Sequence, residues 1–213
     1  MPNDSSTGGF LAPSGGFLVA EDNALDALLQ ALVVGVTAIP GNLVRPRWQP
    51  VPPPQPEAGT DWCAIGVTDE DPEPNVSTVH TATGNGFSTT YENDIVTVLA
   101  SFYGPTARGN ANLLRSGMMV GQNRETLLVN TNLALMAIPG KSTFVPEIVN
   151  NVTVRRVDIE MRFRRRTILV WPIENLLAAK GTIATDDGAQ QPFYTGSSGS
   201  FGDGFSDGFS SGF

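Results

Sequence analysis

Residues 152–163 read Val-Thr-Val-Arg-Arg-Val-Asp-Ile-Glu-Met-Arg-Phe, and this stretch decides the fold. Apolar and charged side chains alternate along it with a period of two, as they do on a strand with one buried face. The pattern therefore predicts a half-buried antiparallel strand. Its buried face is predicted to carry Val157, Ile159, Met161 and Phe163, and its opposite face Arg156, Asp158, Glu160 and Arg162.

Weaker patterns on both sides of this stretch predict the remaining elements. Apolar residues at helical spacing predict a helix that begins near Glu21 and ends before Pro40, and two more at 105–118 and 124–135. Shorter alternating or apolar runs predict further strands at 61–68, 76–83, 88–103, 167–171 and 181–185. Together these elements predict an α+β fold, with a largely antiparallel sheet of about five strands packed with two or three helices.

Composition divides the chain into three parts. Residues 1–20 are rich in Gly, Ser and Pro and are predicted to form a flexible arm. Residues 21–186 hold the predicted helices and strands and are predicted to form a single α+β domain. Residues 187–213 are rich in Gly, Phe and Ser and are predicted to be a flexible tail, because they cannot bury enough apolar surface to fold alone.

The proline-rich segment 43–59 is predicted to be extended, because its many prolines lack the N–H that helices and sheets require. Near its start it carries Arg45, Arg47 and Trp48. We expect Trp48 to be buried against the body, since a large aromatic ring supplies much contact area there. These three side chains are candidates for an interface.

Overall composition excludes several classes of function. The chain has 213 residues and a net charge of -8 at pH 7, which argues against tight nonspecific binding to nucleic acid or to an anionic membrane. The single cysteine, Cys63, allows no internal disulfide, and a single histidine, His80, removes most hydrolase and metalloenzyme sites. We therefore predict no catalytic residue, no cofactor and no metal site. Neither a signal peptide nor a membrane span is expected, so synthesis in the cytoplasm is predicted.

Two short motifs have a functional and a structural interpretation. The acidic residues between Asp69 and Glu73 could bind calcium, but Pro72 and Pro74 interrupt the spacing of a calcium loop, which favours a solvated turn. The segment Gly84-Asn85-Gly86 lacks the Lys-Ser or Lys-Thr of a phosphate-binding loop, so it is interpreted as a hairpin turn.

Arginines are concentrated in one window of the chain. Residues 155–166 contain six of the thirteen basic residues, with acidic residues between them. Because a guanidinium pairs with a carboxylate through two hydrogen bonds, this strand could line a contact between subunits. A solvated sheet face explains the pattern equally well. The interface candidates in this window are Arg155, Arg156, Asp158, Glu160, Arg162 and Arg164.

Phenylalanines recur every fourth residue in the tail, where they are followed or preceded by glycine. Evenly spaced aromatic rings are poor choices for a solubility tail, so they are candidates for anchors that fill apolar pockets on a partner. A dispensable low-complexity tail is the alternative. The candidate anchors are Phe201, Phe205, Phe209 and Phe213.

The body of the chain resembles the neck or tail terminator proteins of tailed bacteriophages. The resemblance covers residues 22–186 and rests on Ile39-Pro40-Gly41, on Val44-Arg45-Pro46-Arg47-Trp48-Gln49-Pro50, on residues 62–67 and on the Arg-rich strand before Trp171-Pro172. The Gly-Phe segments at both ends depart from the family pattern, and the resemblance assigns them no role.

This resemblance implies a structural virion protein without catalytic residues. Such proteins have an α+β fold and assemble into a ring, commonly a hexamer, that caps the tail tube and joins it to the head connector. The implied partners are other copies of the chain, connector or adaptor proteins, and tail tube or sheath proteins, while genomic DNA passes through without specific binding. The implied location is the virion neck, after synthesis in the host cytoplasm. The alternatives are a tail tube or head-tail adaptor subunit and, less favoured, a small cytoplasmic enzyme.

Overall fold

The structure is a computed structural model, and it describes residues 3–17, 20–137, 141–149, 152–176, 178–184, 188 and 190–196. The chain divides into two compact units. The smaller unit takes the segments Met1–Ala12, His80–Ser88 and Pro172–Phe213, and the larger unit takes Pro13–Val79 and Thr89–Trp171. The predicted domain boundaries at 20/21 and 186/187 stay a prediction.

Helices and strands both occur throughout the described residues. The helices are α1 (Asp22–Thr37), α2 (Ala107–Gly117) and α3 (Gly121–Thr131), with a short 3-10 turn at Gly41–Leu43. The strands are β1 (Gly15–Phe17), β2 (Val44–Pro46), β3 (Trp62–Pro72), β4 (Ser77–Thr81), β5 (Phe87–Tyr103), β6 (Leu133–Ala137), β7 (Ser142–Val149), β8 (Val152–Trp171), β9 (Ala178–Ala184) and β10 (Gln190–Gly196).

Strand β8 organises an eight-stranded sheet with the order β1-β8-β5-β3-β2, in which β4 also pairs with β5. Three shorter strands follow one another along β8 in antiparallel register: β7 beside 152–159, β6 beside 162–165 and β1 beside 168–170. The pairing of β2 with β3 is parallel, whereas β3 pairs with β5 in antiparallel register. Strands β9 and β10 form a separate antiparallel pair. The predicted α+β class is confirmed.

The core lies against one face of this sheet, where the alternation of β8 predicts it. Val157, Ile159, Met161 and Phe163 are all buried, so the predicted buried face is confirmed. Residues from all three helices join the same hydrophobic cluster, among them Leu29 of α1. The opposite face of β8 keeps the charged side chains.

The sheet contains more strands than the predicted five. One continuous strand replaces the two predicted at 152–163 and 167–171. The three arginines between them are accommodated because two pair with carboxylates and the third lies over an aromatic ring. The predicted acidic turn at 69–74 is wrong in extent, since β3 continues to Pro72 after a bulge at Val67/Asp69. The sequence patterns also missed β1, β2, β6, β7 and β10, of which β2 lies in the proline-rich segment where no sheet pairing was predicted.

The third helix is shorter than predicted. It ends at Thr131 because Asn132 adopts a left-handed conformation with φ of 58°, and its N–H donates to Leu128 O. Strand β6 then begins at Leu133, inside the predicted helix 124–135.

A hydrogen-bond network around Asn175 holds the turn of the smaller unit. The Asn175 Nδ2 donates to Ala82 O at 2.9 Å and to Gly84 O at 3.1 Å, while its backbone N–H donates to Asn85 O at 2.7 Å. Gly86 has φ of 90°, and a Cβ there would lie 2.4 Å from Asn175 Oδ1. The predicted turn at 84–86 therefore packs closely against the side-chain amide of Asn175, and glycine at 86 leaves room for it.

We expect Asn175→Ala to lower the free energy of unfolding by about 1 kcal/mol, because the turn carbonyls lose their side-chain donor. Amide hydrogen exchange at residues 82–86 should also become faster. Asn85→Ala is the matched control, since the Asn85 side chain makes no hydrogen bond within the described chain. Equal effects of the two substitutions would show that the Asn175 side chain does not hold the turn.

Candidate assembly surfaces

The outer face of β8 carries five of the six interface residues predicted between 155 and 166. Side chains at even positions from 156 to 164 share this face, whereas Arg155 belongs to the other face and its guanidinium donates to Pro105 O at 3.4 Å. Arg164 pairs with Glu73. Glu160 and Arg162 are exposed, and neither side chain has a hydrogen bond or ion pair within the part of the chain that the structure describes.

A row of stacked rings and cations crosses the outer face from β2 to β8. Arg45 lies 5.7 Å from the ring centre of Trp62, which stacks on Tyr103 with centroids 4.0 Å apart and an angle of 5°. Arg156 lies 5.7 Å from the Tyr103 ring on the next strand. Such aromatic and cation contacts each contribute about 0.5–1.5 kcal/mol. We call Arg45, Trp62, Tyr103 and Arg156 the cross-sheet row.

Carboxylates fix the β8 end of the cross-sheet row. Arg156 donates to Asp158 at 2.9 Å and 3.0 Å, and its Nη1 lies 3.4 Å from Glu147 Oε2 on β7. The hydrogen bond to Asp158 raises the pKa of Arg156, so the guanidinium stays charged. Arg156 and Asp158 are therefore already paired within one protomer, unlike Glu160 and Arg162.

The proline-rich segment follows the prediction in part. Arg47 Nη2 donates to Ser101 Oγ at 2.7 Å, and Arg45 Nη1 donates to Pro54 O at 2.8 Å, which holds the segment on the outer face. The expected burial of Trp48 is wrong, since this residue is 66% exposed. Its Nε1 donates to Val67 O at 2.7 Å, so the contact with the body is made by the polar edge of the ring.

Arg165 forms a buried charge cluster that no local sequence pattern indicated. It is 5% exposed and contacts Glu21 at 3.0 Å, Asp94 at 3.5 Å and Glu70. Glu21 precedes α1, Glu70 lies on β3 and Asp94 on β5, so one side chain connects the helix with three strands. The period of two along β8 could have predicted the burial of Arg165 alone, since it places this residue on the same face as Phe163.

The residues with nucleophilic chemistry are buried. Burial raises the pKa of Cys63, against the smaller effect of Arg47, and its side chain is fully buried in the core. Ser88 Oγ lies 3.0 Å from His80 Nδ1, and Asn175 Oδ1 lies 2.7 Å from His80 Nε2. This order resembles a nucleophile, a base and an orienting amide, but Ser88 is 4% exposed and its hydroxyl is not open to a substrate. The chain of hydrogen bonds belongs to the Asn175 network.

Within the described residues, the acidic segment forms no metal site and no helix could span a membrane. Glu70 and Glu73 from the acidic segment pair with Arg165 and Arg164. Within the described residues, no group of three or more His, Cys, Asp or Glu side chains could hold a metal ion. No helix in this part of the chain is long and apolar enough to cross a membrane.

Strands β7 and β8 expose apolar side chains beyond the core. Phe144 is 61% exposed and Ile148 is 74% exposed, both on β7. Beside Phe144 lies an apolar cavity of about 450 Å³ that reaches to α2. The predicted anchors at 201, 205, 209 and 213 lie outside the described residues, so the structure leaves them as predictions.

Most of the chain matches a known protein family. The family model for the phage neck terminator protein matches residues 23–187. This range contains the cross-sheet row, Arg165 and the whole of β8, and it agrees with the resemblance found over residues 22–186. A search of curated proteins finds no match to the chain.

Proposed function

Since this chain belongs to the phage neck terminator protein family, we propose that its copies form a closed ring that ends the tail tube and joins it to the head connector. Family membership makes the protein a structural component of the phage neck, and thus of the virion, that associates with other head and tail proteins. The ring, its hexameric state and the connector junction are the proposed part. A hexamer is the state we propose, in keeping with the family resemblance.

The main support for the ring is a set of two opposite charges on the outer face of β8, neither of which has a partner within the described protomer. Glu160 and Arg162 are exposed side by side on a rigid strand, while the arginines around them are already engaged within the protomer. A ring of identical subunits needs two different complementary patches on each copy, so that one copy's patch meets the other patch of the next. Glu160 and Arg162 offer one such patch, since opposite charges suit the rim of a contact.

The charge of the whole chain is compatible with DNA passage. A net charge of -8 gives the ring little attraction for phosphates, so DNA could move through it without being held. The arginines at 156, 164 and 165 are neutralised by carboxylates of the same chain, which further limits phosphate binding.

We expect Arg162→Glu to reduce ring formation several-fold in necks assembled with the tail tube, because the reversed charge repels its partner across the rim. Native mass spectrometry of the isolated necks measures the share of closed rings. Arg124→Glu is the matched control, since Arg124 is also exposed and lies on α3. Rings at the parental yield with Arg162→Glu would contradict this use of the β8 face.

Copy number separates the ring from the alternative virion roles. A terminator ring should contribute about six copies per particle at the head and tail junction, whereas a tube subunit should be present in many more. A head-tail adaptor would instead remain with tail-free heads. Quantitative mass spectrometry of purified particles, heads and tails tests all three.

A further inference from the structure

The cavity beside Phe144 combines an apolar lining with unbalanced positive charge. It has a volume of about 450 Å³ and is lined by Phe144, Pro146 and Val154 together with Arg108 and Arg155. Arg108 lies 5.9 Å from the centre of the Phe144 ring. No carboxylate lines the cavity within the described chain.

The arginines that line the cavity differ in whether a carboxylate neutralises their charge. Arg156, which also lines it, is balanced by Glu147 and Asp158. Arg108 and Arg155 have no ion pair among the described residues. A ligand that complements this site should therefore bring apolar groups and negative charge together.

The sequence of the tail combines apolar groups with negative charge. Between Ser197 and Phe213 it carries four phenylalanines at intervals of four, Asp203 and Asp207 between them, and no Lys or Arg. A cavity of roughly 150 Å³ holds one benzene ring, so the volume beside Phe144 has room for more than one phenyl group. Glycines next to the rings allow the backbone to approach a surface closely. At about 3.3–3.6 Å per residue, this stretch can span at most roughly 60 Å.

We propose that residues 201–213 of a neighbouring copy dock in the cavity beside Phe144, with phenyl rings in the apolar part and Asp203 and Asp207 facing Arg108 and Arg155. This inference rests on the proposed ring. A stable contact between subunits buries about 800 Å² on each partner, more than a single charge pair on β8 covers. Each buried phenylalanine adds roughly 150–250 Å², so the tail supplies apolar area that the charge pair lacks.

Binding of the tail is tested with a fluorescein-labelled peptide of residues 197–213. The receptor is the full-length protein in which Phe201, Phe205, Phe209 and Phe213 are all replaced by Ala, so that its own tail does not compete. We expect saturable binding by fluorescence anisotropy. A peptide with the same four Phe→Ala changes should lose binding, and one with Asp203→Asn and Asp207→Asn should bind several-fold more weakly with less dependence on salt.

The cavity is tested by reversing its free charges. Arg108→Glu combined with Arg155→Glu in the receptor should weaken peptide binding at least tenfold, while Arg124→Glu on α3 should leave it unchanged. Thermal unfolding of each receptor confirms that it is folded. Absence of saturable binding, or equal binding by the parent and the charge-reversed cavity, would overturn the proposal.

The neighbouring copy is tested by disulfide trapping in assembled necks. One variant carries Thr153→Cys at the cavity and a second carries Ser210→Cys in the tail, so a link between them must join separate chains. We expect the linked pair on oxidation of mixed necks. Efficient linking only when both cysteines are on one chain would overturn the assignment to a neighbour. Closed rings in necks combined with failure of the peptide to bind would overturn tail docking alone and leave the proposed function standing.

Discussion

Replacing Arg165 with leucine should lower the free energy of unfolding by about 1–3 kcal/mol, the cost of leaving a largely buried group such as Asp94 without its partner. The guanidinium is 5% exposed and contacts Glu21, Glu70 and Asp94. Without it, three carboxylates face one another at the edge of the core. The charge of Asp94 is destabilised most, because its side chain is only 15% exposed. Urea denaturation measures the loss.

The same variant should depend on pH in a defined direction. Burial raises the pKa of Asp94, and the neighbouring Glu92, Glu21 and Glu73 raise it further. Removing Arg165 adds to this rise, so the folded variant holds protons more tightly than its unfolded chain. The loss of stability in the variant should therefore become smaller as the pH is lowered from about 7 towards 4, where the Asp94 carboxyl becomes neutral.

The control for both measurements is Arg162→Leu, which changes the same side chain at an exposed position of the same strand. It should alter stability by less than about 0.5 kcal/mol at every pH. A loss of similar size for the two variants, or a deficit of Arg165→Leu that does not change with pH, would contradict the role of the cluster.

Phe163→Ala should lower the free energy of unfolding by about 3–5 kcal/mol, because the ring is fully buried and its removal leaves a cavity. Phe163 lies on β8 opposite Leu135 of β6, and both contact the same core. Phe163→Leu keeps the effect measurable if the alanine variant does not fold. Phe144→Ala is the matched control, since that ring is 61% exposed, and it should cost less than about 1 kcal/mol. Similar losses at 144 and 163 would contradict the assigned core.

Sequence patterns predicted the elements whose signal is local. The period of two along β8 identified its buried side chains correctly, and helical spacing located α1 and α2, since each pattern repeats within one element. The long run at 88–103 was likewise recognised as a strand, now β5. These elements form most of the core, so the fold class was predictable.

Elements that depend on distant partners were not predictable. Strand β7 contains Pro146, which argues against a strand, yet in the described sheet β7 pairs only with β8 and so tolerates one missing donor. The cross-sheet row brings Trp62 and Tyr103 together from positions far apart in the chain, through the register of β3 and β5. Trp48 was expected to be buried because aromatic rings usually are, but it is 66% exposed and its Nε1 donates to Val67 O. No local pattern contains these contacts.

Imaging of intact particles at the head and tail junction tests the central claim most directly. A reconstruction of the neck should show about six copies of this chain in one closed ring, with Glu160 and Arg162 of each copy at the contact with the next. A single monomeric copy at the junction, or stacked rings of this chain along the tail, would contradict it.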